Sequence, residues 1–330
     1  MPIDALDHAG LLVVTGKGGV GKTTVAAALA VAAALRGRRA LVAEVEGRQG
    51  LAEVFGVAQL GYDEAPVAGG VTGLAVDPEA SLREYLARFG VGPLARLLSW
   101  AHISHLITAV IPGLADILLI GKVWEAVTRR RDGRPVYDLV VLDAPPTGRV
   151  VPFLSAPETV AELARVGPIR GQAERVERLL HDPGRTRVLL VTLPEELPAT
   201  ETVEARSALR AAGLPLGPVV VNQVAGDRLG GRARRLAALA RNPAPMVDAA
   251  RAAGAALDEH AVRALVEEAR QGQRQVARQR RLIQELRRHG GDDGLVELPL
   301  LPGGVDGSAG VRTLAERLAA PAAQREEAAR

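Results

Sequence analysis

Between an apolar run and an alanine-rich run near the N-terminus lies GKGGVGKTT, residues 16–24, the stretch that most restricts what this chain can fold into. LLVVT at 11–15 has the β-branched character of a buried strand, and TTVAAALAVAAAL at 23–35 reads as a buried helix. Glycines at 16, 18, 19 and 21 let the connection reverse sharply with its N–H groups turned inward. The spacing Gly16, four residues, Gly21, Lys22, Thr23 matches G-x-x-x-x-G-K-[ST], a loop that cradles phosphate where a strand feeds a helix. Such a unit needs parallel neighbours to bury both faces of its strand.

Those neighbours are legible downstream. Further apolar runs stand at 40–45, 71–76, 137–144, 187–193, 218–223 and 295–300, and helical periodicity at 23–36, 79–89, 94–98, 156–165, 172–180, 201–212 and 258–288. The alternation predicts a single α/β domain over 1–330, a doubly wound, mostly parallel sheet of about seven to eight strands with the phosphate loop of P-loop NTPases. Two stretches depart from simple strand–helix units. Residues 79–134 form a helical insertion with a long apolar middle, a candidate lid or partner surface. Residues 258–289 form an arginine-rich helix with a solvated face, ended by Gly290 and Gly291.

Composition removes several functions. There is no cysteine, which excludes disulfides, thiolate metal sites including zinc, and a cysteine nucleophile. The net charge of +3 is small and carried by arginine, so no nucleic-acid partner is expected. Residues 1–10 lack a basic leader, and the longest apolar run falls short of the ~20 residues that span a bilayer, so the expected location is cytoplasmic. Of 41 Lys plus Arg only three are lysines, Lys17, Lys22 and Lys122, and two of them sit in the loop.

The loop implies ATP and Mg²⁺ as ligands. Backbone N–H groups of Gly16, Lys17, Gly18, Gly19, Val20, Gly21, Lys22, Thr23 and Thr24 would surround phosphate, Lys22 would reach the β and γ phosphates, and the Thr23 hydroxyl would hold Mg²⁺. Asp143, ending the apolar run of YDLVVLDA, is the candidate acid for the metal or its waters. GKGGVGKT further resembles the deviant Walker A loop of dimeric ATPases such as MinD, ParA, NifH and ArsA. That resemblance implies a dimer in which Lys17 reaches the partner's nucleotide; a merely solvated lysine is the alternative.

LDAPPTGRVVPFLSAP at 142–157 narrows the likeness to the ArsA-like ATPase family, being similar to its D-T-A-P-T-G-H-x-x-R-F-L-x-x-P switch II, with Arg149 where the family has His. Residues 191–213 also resemble that family, as does VVVNQV at 219–224, which implies that Asn222, with Gln223 beside it, reads adenine. A strand-end cap is the other reading of Asn222. LPLLPG at 298–303 resembles the segment that closes over the base, placing Pro299 and Leu301 there.

The likeness breaks at switch I. Family members carry D-P-A-H-[NS]; here Glu46 aligns with that Asp, while Gly47, Gln49 and Gly50 replace Pro, His and Asn or Ser. Glu46 is either the water-positioning catalytic base or a structural acid, and hydrolysis is expected to be slow or partner-dependent. Arsenite pumps of the family bind metalloid through cysteines and tail-anchor targeting members use methionine-rich grooves, whereas this chain has no Cys and two Met. His102 and His105 are read as packed or capping residues. The expectation is a Mg²⁺-dependent dimeric ATPase, a homodimer or a heterodimer with a related subunit, acting on a protein client or membrane partner. A nucleotide-dependent scaffold and a MinD- or ParA-like positioning ATPase are the alternatives.

Overall fold

The computed structural model describes residues 8–45, 47, 49–88, 113–163, 168–227, 238–289, 293–305 and 307–320. Its strands are β1 (Leu11–Gly16), β2 (Ala40–Glu44), β3 (Ala65–Pro66), β4 (Thr72–Ala75), β5 (Arg130–Arg131), β6 (Arg134–Pro135), β7 (Leu139–Asp143), β8 (Thr186–Thr192), β9 (Leu216–Val224) and β10 (Leu295–Pro299). Eight of them form one sheet in the order β10-β9-β8-β1-β7-β2-β4-β3, and β5 pairs with β6 in a separate hairpin. Every neighbouring pair in the large sheet is parallel except the short edge pair β3 and β4. The expected α/β class, strand number and mostly parallel sheet are those observed.

The α-helices follow as α1 (Lys22–Leu35), α2 (Gly50–Phe55), α3 (Pro78–Arg88), α4 (Leu114–Thr128), α5 (Thr147–Leu163), α6 (Pro168–His181), α7 (Glu196–Ala211), α8 (Ala244–Ala252), α9 (Glu259–His289) and α10 (Gly307–Ala319). They cover both faces of the sheet, which is why β1 is apolar at every position. Leu12 and Val14 enter one core with α1 and α10, while Leu11 and Val13 enter the other with α4, α5 and α6. In α1, residues 25–33 are all buried. Alanine's short side chain lets α1 lie closely between the sheet and the Val311, Leu314 and Leu318 face of α10. Burying each of those three side chains stabilises the fold by about 1.5–3 kcal/mol.

α5 begins at Thr147, well before the expected 156, and contains Pro152 and Pro157. Prolines read as helix breakers in sequence; here burial of Val150, Phe153, Leu154 and Pro157 against the sheet outweighs the lost backbone bonds. In the 79–134 insertion, α3, α4 and the β5–β6 hairpin are described; residues 94–98, His102 and His105 lie outside the described residues. Among the described residues no helix is long and apolar enough to cross a membrane.

The central strands end together, so their carboxyl ends form one platform, where open α/β sheets bind ligands. Below the opposite end a charged clamp fixes β2 against β7. Asp138 accepts bonds from Arg39 through its backbone N (2.9 Å), Nε (3.0 Å) and Nη2 (2.7 Å). Those side-chain bonds hold the Asp138 carboxyl at about 2, below its ordinary 3.8. The group is therefore charged in the fold over a range where the unfolded chain is protonated, and its stabilisation is present above pH 4 and lost as pH falls through about 2. Asp138→Asn should lower the melting temperature by about 2 °C at pH 7, with the gap closing as pH falls from about 4 toward 2. Thermal melts across that range check this, and a gap independent of pH would remove the charge from the account.

Candidate phosphate-binding site

β1 leaves the sheet at Gly16, where a Cβ would lie 2.2 Å from the backbone oxygen of Val191 on β8. Only a residue without a side chain passes so close to a neighbouring strand. The loop then turns back through Gly21, whose φ of 88° is left-handed and whose Cβ would meet Asn222 Nδ2 at 2.4 Å. Asn222 is buried at the end of β9 and donates from Nδ2 to Val20 O at 2.9 Å, so it braces the loop directly. That role was not foreseen in the sequence, where Asn222 stood as an adenine reader or a strand-end cap. α1 starts at Lys22 with no acidic residue in its first turn, leaving the positive end of its dipole facing the loop. Lys22 Nζ lies 3.5 Å from Lys17 O, folded back over the loop's rim, and a Cβ at Gly18 or Gly19 would meet nothing within 4 Å.

Thr23, in the first turn of α1, donates from Oγ1 to Asp143 Oδ2 at 2.6 Å. Asp143 is the last residue of β7, level with Val14 on β1 and with Glu44 on β2. A hydroxyl and a carboxylate oxygen are the hard donors Mg²⁺ takes when phosphate and water complete its shell, so the pair fits that ion. Among the described residues no group of three or more His, Asp or Glu is arranged to hold a metal alone. Behind Asp143, Thr15 Oγ1 donates to Pro145 O at 2.7 Å and fixes the start of the segment leading into α5.

The stretch between β2 and α2 is organised by an acid the sequence reading passed over. Glu44 is buried, with Oε1 accepting Gln49 N at 2.8 Å and Oε2 accepting Leu51 N at 2.9 Å. These bonds satisfy otherwise open N–H groups at the start of α2 and draw Gly50 against Thr23, where a Cβ would stand 3.3 Å from Cγ2. The available signal was an acid ending an apolar strand, the same signal that singled out Asp143. Gln49 itself ties down Leu60, donating from Nε2 to its O (3.0 Å) and accepting its N–H at Oε1 (2.8 Å). Glu46, the expected water-positioning residue, lies outside the described residues.

Lys17 Nζ pairs with Glu201 Oε1 on α7 of the same chain at 2.6 Å, each side chain about one-third exposed. Gln223 follows Asn222 with its side chain exposed and its φ at 58°. Pro299 and Leu300 line a recess beside the end of β9, while Leu301 packs into the core beneath α1. Arg149, which stands where the family has histidine, binds Asp116 in the first turn of α4 at 3.0 Å, joining the segment after β7 to the insertion.

Residues 10–172 match the family model described as anion-transporting ATPase, covering the phosphate loop, Glu44, Asp143 and α5. ATPase BagA of Mycobacterium tuberculosis is 46% identical over 220 residues, 64% of this chain and 64% of that protein. ATPase GET3 of Kluyveromyces lactis is 26% identical over 249 residues, 64% of this chain and 71% of its own length. An arsenical pump-driving ATPase of Acidiphilium multivorum is 28% identical over 233 residues, 64% of this chain and 38% of its own. The alignments thus leave about a third of this chain, and of the mycobacterial protein, unmatched. Over residues 10–172, the part of the chain that carries the phosphate loop and Asp143, the match is to the ArsA-like ATPase family.

Proposed function

We propose that this chain binds Mg·ATP and hydrolyses it to ADP and phosphate, and that two chains close over the nucleotides to drive a protein client or membrane partner. The observation that carries the reading is the loop held between β8 and Asn222 with the Thr23–Asp143 pair, 2.6 Å apart, at its exit. Inward N–H groups and the start of α1 suit the charge of a triphosphate, and Lys22 adds a point charge that follows the γ phosphate. Mg²⁺, when bound with ATP, neutralises charge that develops between the β and γ phosphates. Glu46 is proposed to orient the attacking water, with Glu44 setting the course of the segment that carries it. Relatives named as ATPases support the activity.

Lys17 supports the dimer. Within one chain it binds Glu201 and not the loop's own phosphate cradle, so a long ammonium stem stands at the rim, held by an exchangeable partner. Arg149 and Asp116 supply a path from the nucleotide to the insertion, because a shift of the segment after β7 pulls on α4. The absence of cysteine sets the cargo apart from arsenite bound through thiolates. A second reading, a nucleotide switch with slow turnover, rests on Gln49: its amide is committed to Leu60, whereas a direct phosphate contact requires a free group.

Lys22→Ala should weaken Mg·ATP binding about ten- to hundred-fold in calorimetric titration, the loss of one charge-assisted phosphate contact. Unchanged affinity would overturn the nucleotide reading. Lys17→Ala should keep ATP affinity within about threefold while abolishing any ATP-dependent shift from monomer to dimer in size-exclusion chromatography. A wild-type chain that stays monomeric with Mg·ATP, alone and with a related subunit, would sink the dimer.

A further inference from the structure

Between the insertion and β7 the chain makes the short hairpin of β5 and β6, which leads into the end of β7 away from Asp143. Its turn is Asp132 and Gly133, with φ of 52° and 75°, two successive left-handed residues that close a tight hairpin. Arg130 Nη1 donates to Gly133 O at 2.9 Å and ties the turn down. In the register of the pair, Arg131 stands directly opposite Arg134. Opposed residues share a face with their Cβ atoms roughly 5 Å apart, so two cationic side chains leave the hairpin side by side, which costs stability when nothing negative lies between them. With Arg39, which precedes β2, and with Asp132, Pro135 and Val136, these two arginines line a recess of about 530 Å³. The negative charge nearby is largely engaged, because Asp138 accepts three bonds from Arg39. Among the described residues neither Arg131 nor Arg134 pairs with a carboxylate. Residues 36–39 and 130–134 hold six arginines against Asp132 and the neighbouring Asp138, an excess of four where the whole chain carries +3.

We propose that this recess is a second anion site, which takes a phosphate group carried by a soluble ligand or by a lipid head, at the opposite end of the sheet from the phosphate loop. The volume is in the range of small-ligand sites. A tetrahedral dianion offers oxygens in several directions and can accept from guanidiniums arriving both from β2 and from the hairpin. A planar carboxylate is filled by one fork, as Asp138 is by Arg39. Lying between Arg131 and Arg134, the anion replaces their mutual repulsion with two attractions and fixes the hairpin against the start of β2. Arg38, whose guanidinium donates to the main-chain oxygens of Ala9 and Asp138, adds positive charge beside the site. The carboxyl ends of the strands stay clear, so an anion here and a nucleotide at the loop do not compete for space.

The test uses the full chain carrying Lys22→Ala, so that the phosphate loop does not answer for the recess. Inorganic pyrophosphate without Mg²⁺ is the probe, and sodium chloride of equal ionic strength the reference. Saturating pyrophosphate should raise the melting temperature by about 2–4 °C over chloride. Adding Arg131→Gln and Arg134→Gln should abolish that rise. At low ionic strength in chloride the added pair should melt no lower than its parent, because the opposed charges are gone. Flotation with vesicles of equal parts phosphatidylglycerol and phosphatidylcholine separates the two sources. Retention that disappears with the two arginines identifies a lipid headgroup, and no retention with the pyrophosphate rise intact identifies a soluble phosphorylated ligand. A chain that neither gains melting temperature nor floats, or a response that survives both substitutions, would overturn the proposal. So would a doubly substituted chain that melts well below its parent in chloride, since contacts within the fold would then account for the arginine pair.

Discussion

The contact on which the site depends is the passage of Gly16 against the backbone of β8. β1 is the interior strand between β7 and β8, apolar on both faces, so its exit is crowded by chain on either side. A side chain at 16 would strike Val191 O, and the loop would be forced away from the sheet. Because the exit is tight, the chain turns back so that Gly21 comes against Asn222, and α1 starts at Lys22 with no side-chain cap on its first turn. The tight turn that makes the candidate phosphate loop is the geometric result of a central strand ending in glycine.

Acids at the ends of adjacent strands divide the remaining work by their partners. Asp143 meets the Thr23 hydroxyl and faces the loop's exit, whereas Glu44, level with it on β2, is consumed by two backbone N–H groups and becomes a structural anchor. A buried carboxylate with both oxygens accepting is stabilising because it satisfies the open start of α2, and removing it would expose those N–H groups in a buried place. Identical positions on neighbouring strands thus acquire different roles from one bond pattern. That pattern depends on where the chain goes after β2, which strand composition alone does not encode.

This explains which parts of the fold were legible in the sequence. Each of the seven apolar runs became a strand of the large sheet, because strands buried on both faces leave an uninterrupted apolar signal. β3, β5 and β6 are two residues long, too short for any periodicity to register. The early start of α5 was hidden by Pro152 and Pro157, since local propensity says nothing of the burial that overrides it. The strand-to-helix position of Gly16, Lys22 and Thr23 and the strand-end position of Asp143 were readable from motif and spacing. The bracing by Asn222 and the anchoring by Glu44 are contacts between distant segments, and only the sheet order brings them together.

Lys17 has one observed arrangement, its pair with Glu201, and a second in the proposed dimer. Its pair with Glu201 is one-third exposed on both sides, and ion pairs of that kind contribute roughly 0–1 kcal/mol. In the proposed dimer, a triphosphate presented by a second chain would bring several negative charges into a space partly shielded from water, where the attraction is larger than at an open surface. In the dimer proposed above, exchanging Glu201 for that phosphate would give up only a weak surface pair. Arginine, with its wide planar fork and rigid bonding, would surrender a bidentate carboxylate less readily. In a chain that uses arginine nearly everywhere, a lysine at position 17 suits the exchange of partners that the proposed dimer would require.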